Sequence, residues 1–100
     1  MKMPAARWFS IVRYADFCDV PRWILAGNQD DGFWLLDGQF DDGADEYPSF
    51  FRVKFVGNEL GAARAVFDTG TIGDVAVAEV IAVDEIQFDP TVRASVMRRG

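Results

Sequence analysis

The stretch Phe50-Phe51-Arg52-Val53-Lys54-Phe55-Val56 alternates large apolar side chains with basic ones more cleanly than any other part of the chain. Successive side chains of a β-strand point to opposite faces of its sheet. We therefore expect Phe51, Val53 and Phe55 to face a core, and Arg52 and Lys54 to face solvent. The segment predicts a strand with one buried face.

Similar segments lie upstream, bounded by Gly, Asn and Asp clusters that favour turns. Segments 22–26 and 33–37 are joined by the polar loop 28–32, which predicts a β-hairpin. Segment 7–14 divides its larger apolar side chains between two faces, with Phe9 and Ile11 on one and Trp8, Val12 and Tyr14 on the other. These segments predict three further strands.

Segment 58–68 fits two structures. Leu60, Ala63 and Phe67 are spaced as one stripe of a helix, and the alanines favour helix. Read as a strand, the same residues complete a hairpin with 50–56 through the turn at 57–61. The strand is slightly favoured, with the helix as its alternative.

The remaining segments are short and rich in valine. Segment 74–83 is apolar on both faces, which predicts a central strand with a bulge or an exposed end at Glu79. A helix that begins at Asp74 is the alternative, but the valines weigh against it. A turn over 83–86 and a bend at Pro90 follow, and 91–97 is predicted to form the last strand.

Together these segments predict a mainly β fold, a small antiparallel barrel or sandwich of six to seven short strands, with a short helix only if 58–68 is helical. The terminal segments are predicted to be its edge strands. Residues 1–100 are expected to form a single domain, because a chain of this length with 50% hydrophobic residues can bury a core without disulfides or metal ions.

The charge and cysteine content restrict the partners and the location. The chain has 16 acidic and 10 basic residues and a formal net charge of −6, the wrong sign for binding nucleic acid through its phosphates. Its one cysteine, Cys18, fits a reducing compartment, and no secretory signal precedes the first strand. No apolar run is long enough to span a membrane. We expect a cytoplasmic protein that binds neither nucleic acid nor membrane.

Residue types needed for common catalysis are missing. The chain contains no histidine, which removes the usual general base, the Ser–His and Cys–His pairings and the commonest metal ligand. Cys18 lies between acidic neighbours that disfavour its thiolate. The phosphate-binding glycine motifs are also absent. No enzyme activity, metal or cofactor is therefore expected.

Acidic residues are concentrated in the first half of the chain, at Asp30, Asp31, Asp37, Asp41, Asp42, Asp45 and Glu46. The calcium-binding EF-hand pattern fails, because placing Gly32 or Gly43 at its sixth position puts a glycine at its first. A solvated turn explains most of this cluster, since turns favour such residues. Its functional interpretation is a surface for a basic protein.

Aromatic residues are concentrated in the same half. Adjacent pairs such as Trp8-Phe9, Phe33-Trp34 and Phe50-Phe51 cannot all point inward from a strand. Most of the rings are expected in the core, and the remainder to form a binding surface. The candidates for that surface are Trp8, Trp23, Trp34 and Tyr47, beside the acids Asp37, Asp41, Asp42, Asp45 and Glu46.

Three functions follow. The leading hypothesis is a non-catalytic protein-interaction or oligomerising module that binds itself or another protein, in its sharper form an acidic inhibitor of a basic partner. The alternative is a small-ligand-binding β-barrel with Trp23, Trp34 and Tyr47 near its mouth. The third is an enzyme that uses carboxylates alone, with Asp37, Asp41 and Asp45 as candidates.

Overall fold

Antiparallel strands make up most of the computed structural model, which describes residues 2–17, 21–69, 77, 79–88 and 95–99. Within these residues the strands are β1 (Trp8–Phe17), β2 (Pro21–Asn28), β3 (Gly32–Asp37), β4 (Phe50–Phe55), β5 (Glu79–Ala82), β6 (Ile86–Phe88) and β7 (Ser95–Arg98). Helix α1 spans Leu60–Thr69, and a 3-10 helix spans Val83–Glu85. The predictions for Cys18 and for a bend at Pro90 lie outside the described residues.

The described strands form one curled sheet, a half-barrel, in the order β5-β4-β3-β2-β1-β7-β6. Every neighbouring pair is antiparallel. The two strands at the ends of this order, β5 and β6, follow each other in the chain and are joined by the 3-10 helix. The prediction of a mainly β fold with six to seven strands is confirmed.

The sheet packs on both of its faces. On one face, each of the strands contributes to a continuous core that includes Phe9, Trp34, Phe51 and Val96, and Met3 fills it from the N-terminal segment. Because every strand reaches this core, it is the concave interior of the half-barrel. The outer face of β2 and β3 forms a second core beneath α1.

Segment 58–68 is helical, so the preference for a strand was wrong. Ala63 is buried, and Leu60, Val66 and Phe67 pack on the outer face of β2 and β3. The Phe67 ring stacks on Trp23 with the ring centroids 5.6 Å apart. The apolar outer face needs a cover, and a helical stripe supplies it. Within the described residues, no helix is long and apolar enough to cross a membrane.

Two predicted strand positions were also wrong. Segment 74–83 was expected to be central, but β5 lies at one end of the strand order, and Val80 is 59% exposed. The terminal segments were expected to be edges, but β1 and β7 pair with each other inside the sheet. Pairing the strands nearest the two termini hides the backbone groups that an edge would expose. The turn at 83–86 is confirmed as the 3-10 helix.

A β-bulge changes which residues of β1 share a face. The register shifts between Ile11 and Arg13, so residues after the bulge point to the opposite side from those with the same parity before it. Trp8 therefore lies on the outer face, whereas Tyr14 pairs with Ile24 of the inner core. The prediction that Trp8, Val12 and Tyr14 share a face was wrong.

In β4, Lys54 points to the sheet face opposite the core residues Phe51 and Val53, as expected. It was expected to face solvent, but it is only 8% exposed.

The β2–β3 hairpin is tighter than predicted, because its strands extend to Asn28 and Gly32 and leave the loop 29–31. Such loops end in a left-handed residue, and Gly32 has a φ of 90° with the Phe55 ring where a Cβ would lie. Asn28 Nδ2 donates a hydrogen bond to Asp31 at 3.0 Å, and Arg7 pairs with the same carboxylate. The hydrogen bond from Asn28 and the contact with Arg7 lower the pKa of Asp31.

We predict that Asn28→Ala and Arg7→Gln each raise the pKa of Asp31, because the hydrogen bond from Asn28 and the contact with Arg7 both lower it. A lowered folded-state pKa stabilises the fold above the ordinary carboxyl pKa, and this contribution is lost as the pH falls through the folded value. Titration of the carboxyl carbon by NMR measures both variants. An Asp31 pKa that stays unchanged in either variant would contradict this assignment.

A polar clamp ties the open side of the half-barrel together. The Met3 amide donates to Glu79 Oε1 at 2.8 Å. Arg98 Nη1 donates to the same oxygen at 2.7 Å and to the Met3 carbonyl at 3.0 Å. Glu79 begins β5 and Arg98 ends β7, so the clamp joins β5, at one end of the sheet order, to β7, the strand next to the other end, through the N-terminal segment.

We predict that Glu79→Gln lowers the free energy of unfolding by about 2 kcal/mol, because the partly buried Arg98 guanidinium would lose the carboxylate to which it donates a hydrogen bond. Urea denaturation measures this loss. Glu85→Gln is the matched control. Its carboxylate is 4.0 Å from Arg98 Nε and 48% exposed, so its removal should cost less than about 0.5 kcal/mol. Similar losses in the two variants would contradict a structural clamp.

Candidate functional site

The loop between β3 and β4, residues 38–49, carries most of the acidic residues that the sequence singled out, and we call it the acidic loop. Asp41, Asp42, Asp45 and Glu46 are all exposed on it. Asp37 is half-buried at the end of β3, immediately before the loop. The structure therefore brings these predicted residues together on one surface.

Hydrogen bonds within the acidic loop give it a defined shape. Asp41 and Glu46 form an isolated bridge, with N–H···O distances of 2.8 and 3.3 Å. The Asp41 carboxylate also accepts hydrogen bonds from the amides of Gly43 and Ala44, at 2.9 and 3.2 Å. A carboxylate that caps a turn in this way stabilises it locally. Asp45 completes the turn with a φ of 55°.

The base of the loop rests on a buried arginine. Arg22 is 6% exposed, and its Nη1 donates to the Pro48 carbonyl at 2.7 Å. Its guanidinium carbon lies 5.1 Å from the centroid of the Tyr47 ring, a distance at which a cation is attracted to an aromatic face. The Arg22 carbonyl accepts the Gly38 amide at 2.7 Å. One residue of β2 thus contacts both ends of the loop.

Two aromatic rings lie among the carboxylates. Phe40 packs edge-on against Tyr47, with centroids 5.1 Å apart. Phe40 is 40% exposed, so an apolar surface is available beside Asp41 and Asp42. A depression of about 440 Å³ is lined by Phe40, these two aspartates, Asp37 and other residues. Negative charge and an exposed ring are therefore adjacent.

The four predicted aromatic candidates are separated. Tyr47 lies at the base of the acidic loop, and Trp8 is 46% exposed on the outer face of β1. Trp23 and Trp34 are 5% and 2% exposed, because they fill the two cores. The Trp34 Nε1 has no hydrogen-bond partner among the described residues. Neither buried indole offers a surface to a partner.

Sequence reasoning missed Arg22 and Phe40 as contributors to this surface. Arg22 directly precedes the apolar run 23–26. A charged residue at this position indicates that the start of the strand contacts a polar group. Phe40 stands alone among polar and acidic residues, where a ring has no strand neighbour to pack against. Both signals can be read from the sequence immediately around each residue.

The acidic loop presents several carboxylates to solvent. Within the described ranges, no group of three His, Cys, Asp or Glu side chains is placed to hold a metal ion. No protein-family model, no curated protein and no solved structure matches this chain. The function is therefore inferred from the geometry of this surface.

We predict that Asp41→Ala loosens the acidic loop, because it removes the acceptor for the Gly43 and Ala44 amides. A protease that cuts after glutamate should then cleave after Glu46 several times faster, since cleavage requires local opening. Asp42→Ala is the control, because it removes an equal charge from the neighbouring exposed position. Equal cleavage rates would show that Asp41 does not hold the turn.

Proposed function

We propose that this chain is a non-catalytic protein-interaction domain whose acidic loop docks onto a basic surface of another protein, as an inhibitor capping that surface would. The observation that carries the proposal is the acidic loop itself, where exposed carboxylates surround Phe40 on a backbone held by hydrogen bonds. A reducing, cytoplasmic setting suits a chain with one cysteine. We expect the chain to bind neither nucleic acid nor membrane.

The physical arrangement favours binding in two ways. A loop that already has its bound shape loses little conformational entropy on association, so more of the contact energy appears as affinity. Its negative charge, in a chain of net charge −6, speeds encounter with a basic partner. Phe40 and Tyr47 supply the kind of aromatic contact that anchors interfaces.

Self-association is the second form of the proposal, and it needs a different surface. Two acidic loops facing each other would place like charges together, which costs free energy. Trp8 is exposed on the outer face of β1, which neighbours neither β3 nor β4 in the strand order. This side chain supports a homo-oligomer that leaves the loop free.

The other two hypotheses have less support. A ligand-binding barrel with Trp23 and Trp34 at its mouth does not suit rings that are packed within the cores. A carboxylate-only enzyme needs two acids in environments that separate their pKa values. Asp41 and Asp45 are both exposed to solvent on the same loop, so neither carboxylate lies in a site that excludes water.

The test compares two variants that lose the same charge. The loop variant carries Asp42→Asn, Asp45→Asn and Glu46→Gln, and it keeps Asp41 because Asp41 holds the turn. The control carries Asp30→Asn, Glu59→Gln and Asp84→Asn, which are exposed positions outside the loop. Affinity capture from extract of the source cells with quantitative mass spectrometry identifies the partner, and titration then gives the dissociation constants.

We predict that a basic protein is captured by the unaltered chain and by the control, and that the loop variant binds it about tenfold more weakly, since each exposed charge contributes up to about 1 kcal/mol. The difference should shrink as salt is added. A partner that binds both variants equally, or an acidic partner, would refute the acidic loop as the docking surface.

A further inference from the structure

The chain contains three Asp-Gly sequences, at 31–32, 37–38 and 42–43. Aspartate followed by glycine is prone to spontaneous isomerisation, because glycine has no side chain to hinder attack by its own amide nitrogen. That nitrogen bonds to the aspartate Cγ and a water molecule leaves, which forms a five-membered succinimide. Water then opens the ring at either carbonyl. Opening at the former main-chain carbonyl leaves isoaspartate, whose backbone runs through the β-carbon.

The folded structure controls this reaction through the glycine amide. The ring closes only when the backbone rotates and the nitrogen gives up both its hydrogen bond and its proton. An amide held within paired strands must first open locally, so its reaction slows as opening becomes rarer. The three Asp-Gly sequences should therefore react at different rates in the folded protein.

The sequence at 31–32 is held by the β2–β3 hairpin. Gly32 pairs with Asn28 as the first residue of β3. The Asp31 carboxylate accepts a hydrogen bond from Asn28 Nδ2 at 3.0 Å and pairs with Arg7. Ring closure here requires the end of the hairpin to open and the carboxylate to leave both partners.

The sequence at 37–38 is held at the other end of β3. The Gly38 amide donates to the Arg22 carbonyl at 2.7 Å, which extends the pairing of β2 and β3 by one hydrogen bond. The half-buried Asp37 carboxylate accepts the Gln39 amide at 3.3 Å. Ring closure here also requires backbone pairing to break.

The sequence at 42–43 lies outside the sheet, in the turn of the acidic loop. Asp42 is exposed. The Gly43 amide donates to Asp41 Oδ1 at 2.9 Å, so its acceptor is a side-chain carboxylate and not the carbonyl of a paired strand. The negative charge of that carboxylate also disfavours loss of the amide proton. Asp41 is therefore the group that restrains ring closure at this position.

We propose that the Asp42-Gly43 bond is a modification site, where the folded protein forms isoaspartate in preference to its other two Asp-Gly sequences, and that the Asp41 carboxylate restrains the reaction. The product keeps its negative charge and gains one backbone carbon. That carbon lies within the turn that Asp41 and Glu46 close through two backbone hydrogen bonds. Isomerisation therefore reshapes the acidic loop without changing its charge. Any effect on docking rests on the proposed function, whereas the isomerisation does not.

The test incubates the folded protein for weeks in warm, near-neutral buffer and measures isoaspartate at each Asp-Gly sequence. Mass spectrometry of peptides with electron-transfer fragmentation distinguishes the two isomers. The same chain unfolded in guanidinium chloride gives the rate at each sequence without structure. The ratio of the folded to the unfolded rate should be highest at 42–43.

Asp41→Ala should raise this ratio at 42–43 about fivefold, the effect of losing one net hydrogen bond that keeps the turn closed. Glu46→Gln is the control, because it removes an equal charge from the loop and keeps the backbone bonds between 41 and 46. Its ratio should be unchanged.

Two results would overturn the proposal. One is a ratio at 31–32 or 37–38 that equals or exceeds the ratio at 42–43. The other is an equal ratio at 42–43 in Asp41→Ala and Glu46→Gln. Both measurements use the protein alone, so failure to find a basic partner would leave this proposal standing.

Discussion

The buried guanidinium of Arg22 is the interaction on which the surface of this protein depends. It lies at the start of β2, on the inner side of the half-barrel, where its charge is held by the Pro48 carbonyl and the Tyr47 ring. A buried cation is costly unless it is paired and hydrogen-bonded, so the contacts that the loop supplies to Arg22 stabilise the loop as well. Tyr47 in turn packs against Phe40, which carries this order to the exposed ring of the acidic loop.

Arg22 can hold the loop in place because the half-barrel that carries it is itself held together, with connections between the strands at the two ends of its sheet. The 3-10 helix joins β5 to β6 directly, and the clamp of Met3, Glu79 and Arg98 joins β5 to β7. A scaffold tied in this way presents its connecting loops in fixed positions, and binding residues usually lie on such loops.

Sequence patterns predicted the features that local periodicity decides, and missed those that depend on distant contacts. The alternation in β4 and the β2–β3 hairpin were found, and so was the grouping of acids around 41–46. The helical stripe of α1 was judged as a strand, because only the apolar outer face of the sheet favours the helix. The bulge in β1 and the end position of β5 follow from pairing across the sheet, and burial of Trp23 and Trp34 follows from packing. No single segment encodes these features.

The most direct test of this account is the mobility of the acidic loop in Arg22→Lys, measured by NMR relaxation of backbone amides. Lysine keeps the charge but lacks the planar group that stacks on Tyr47 while bonding Pro48. The account predicts that order parameters over 40–47 fall toward about 0.6, while those of the paired strands stay near about 0.85. Unchanged order in the loop of a folded Arg22→Lys variant would contradict it.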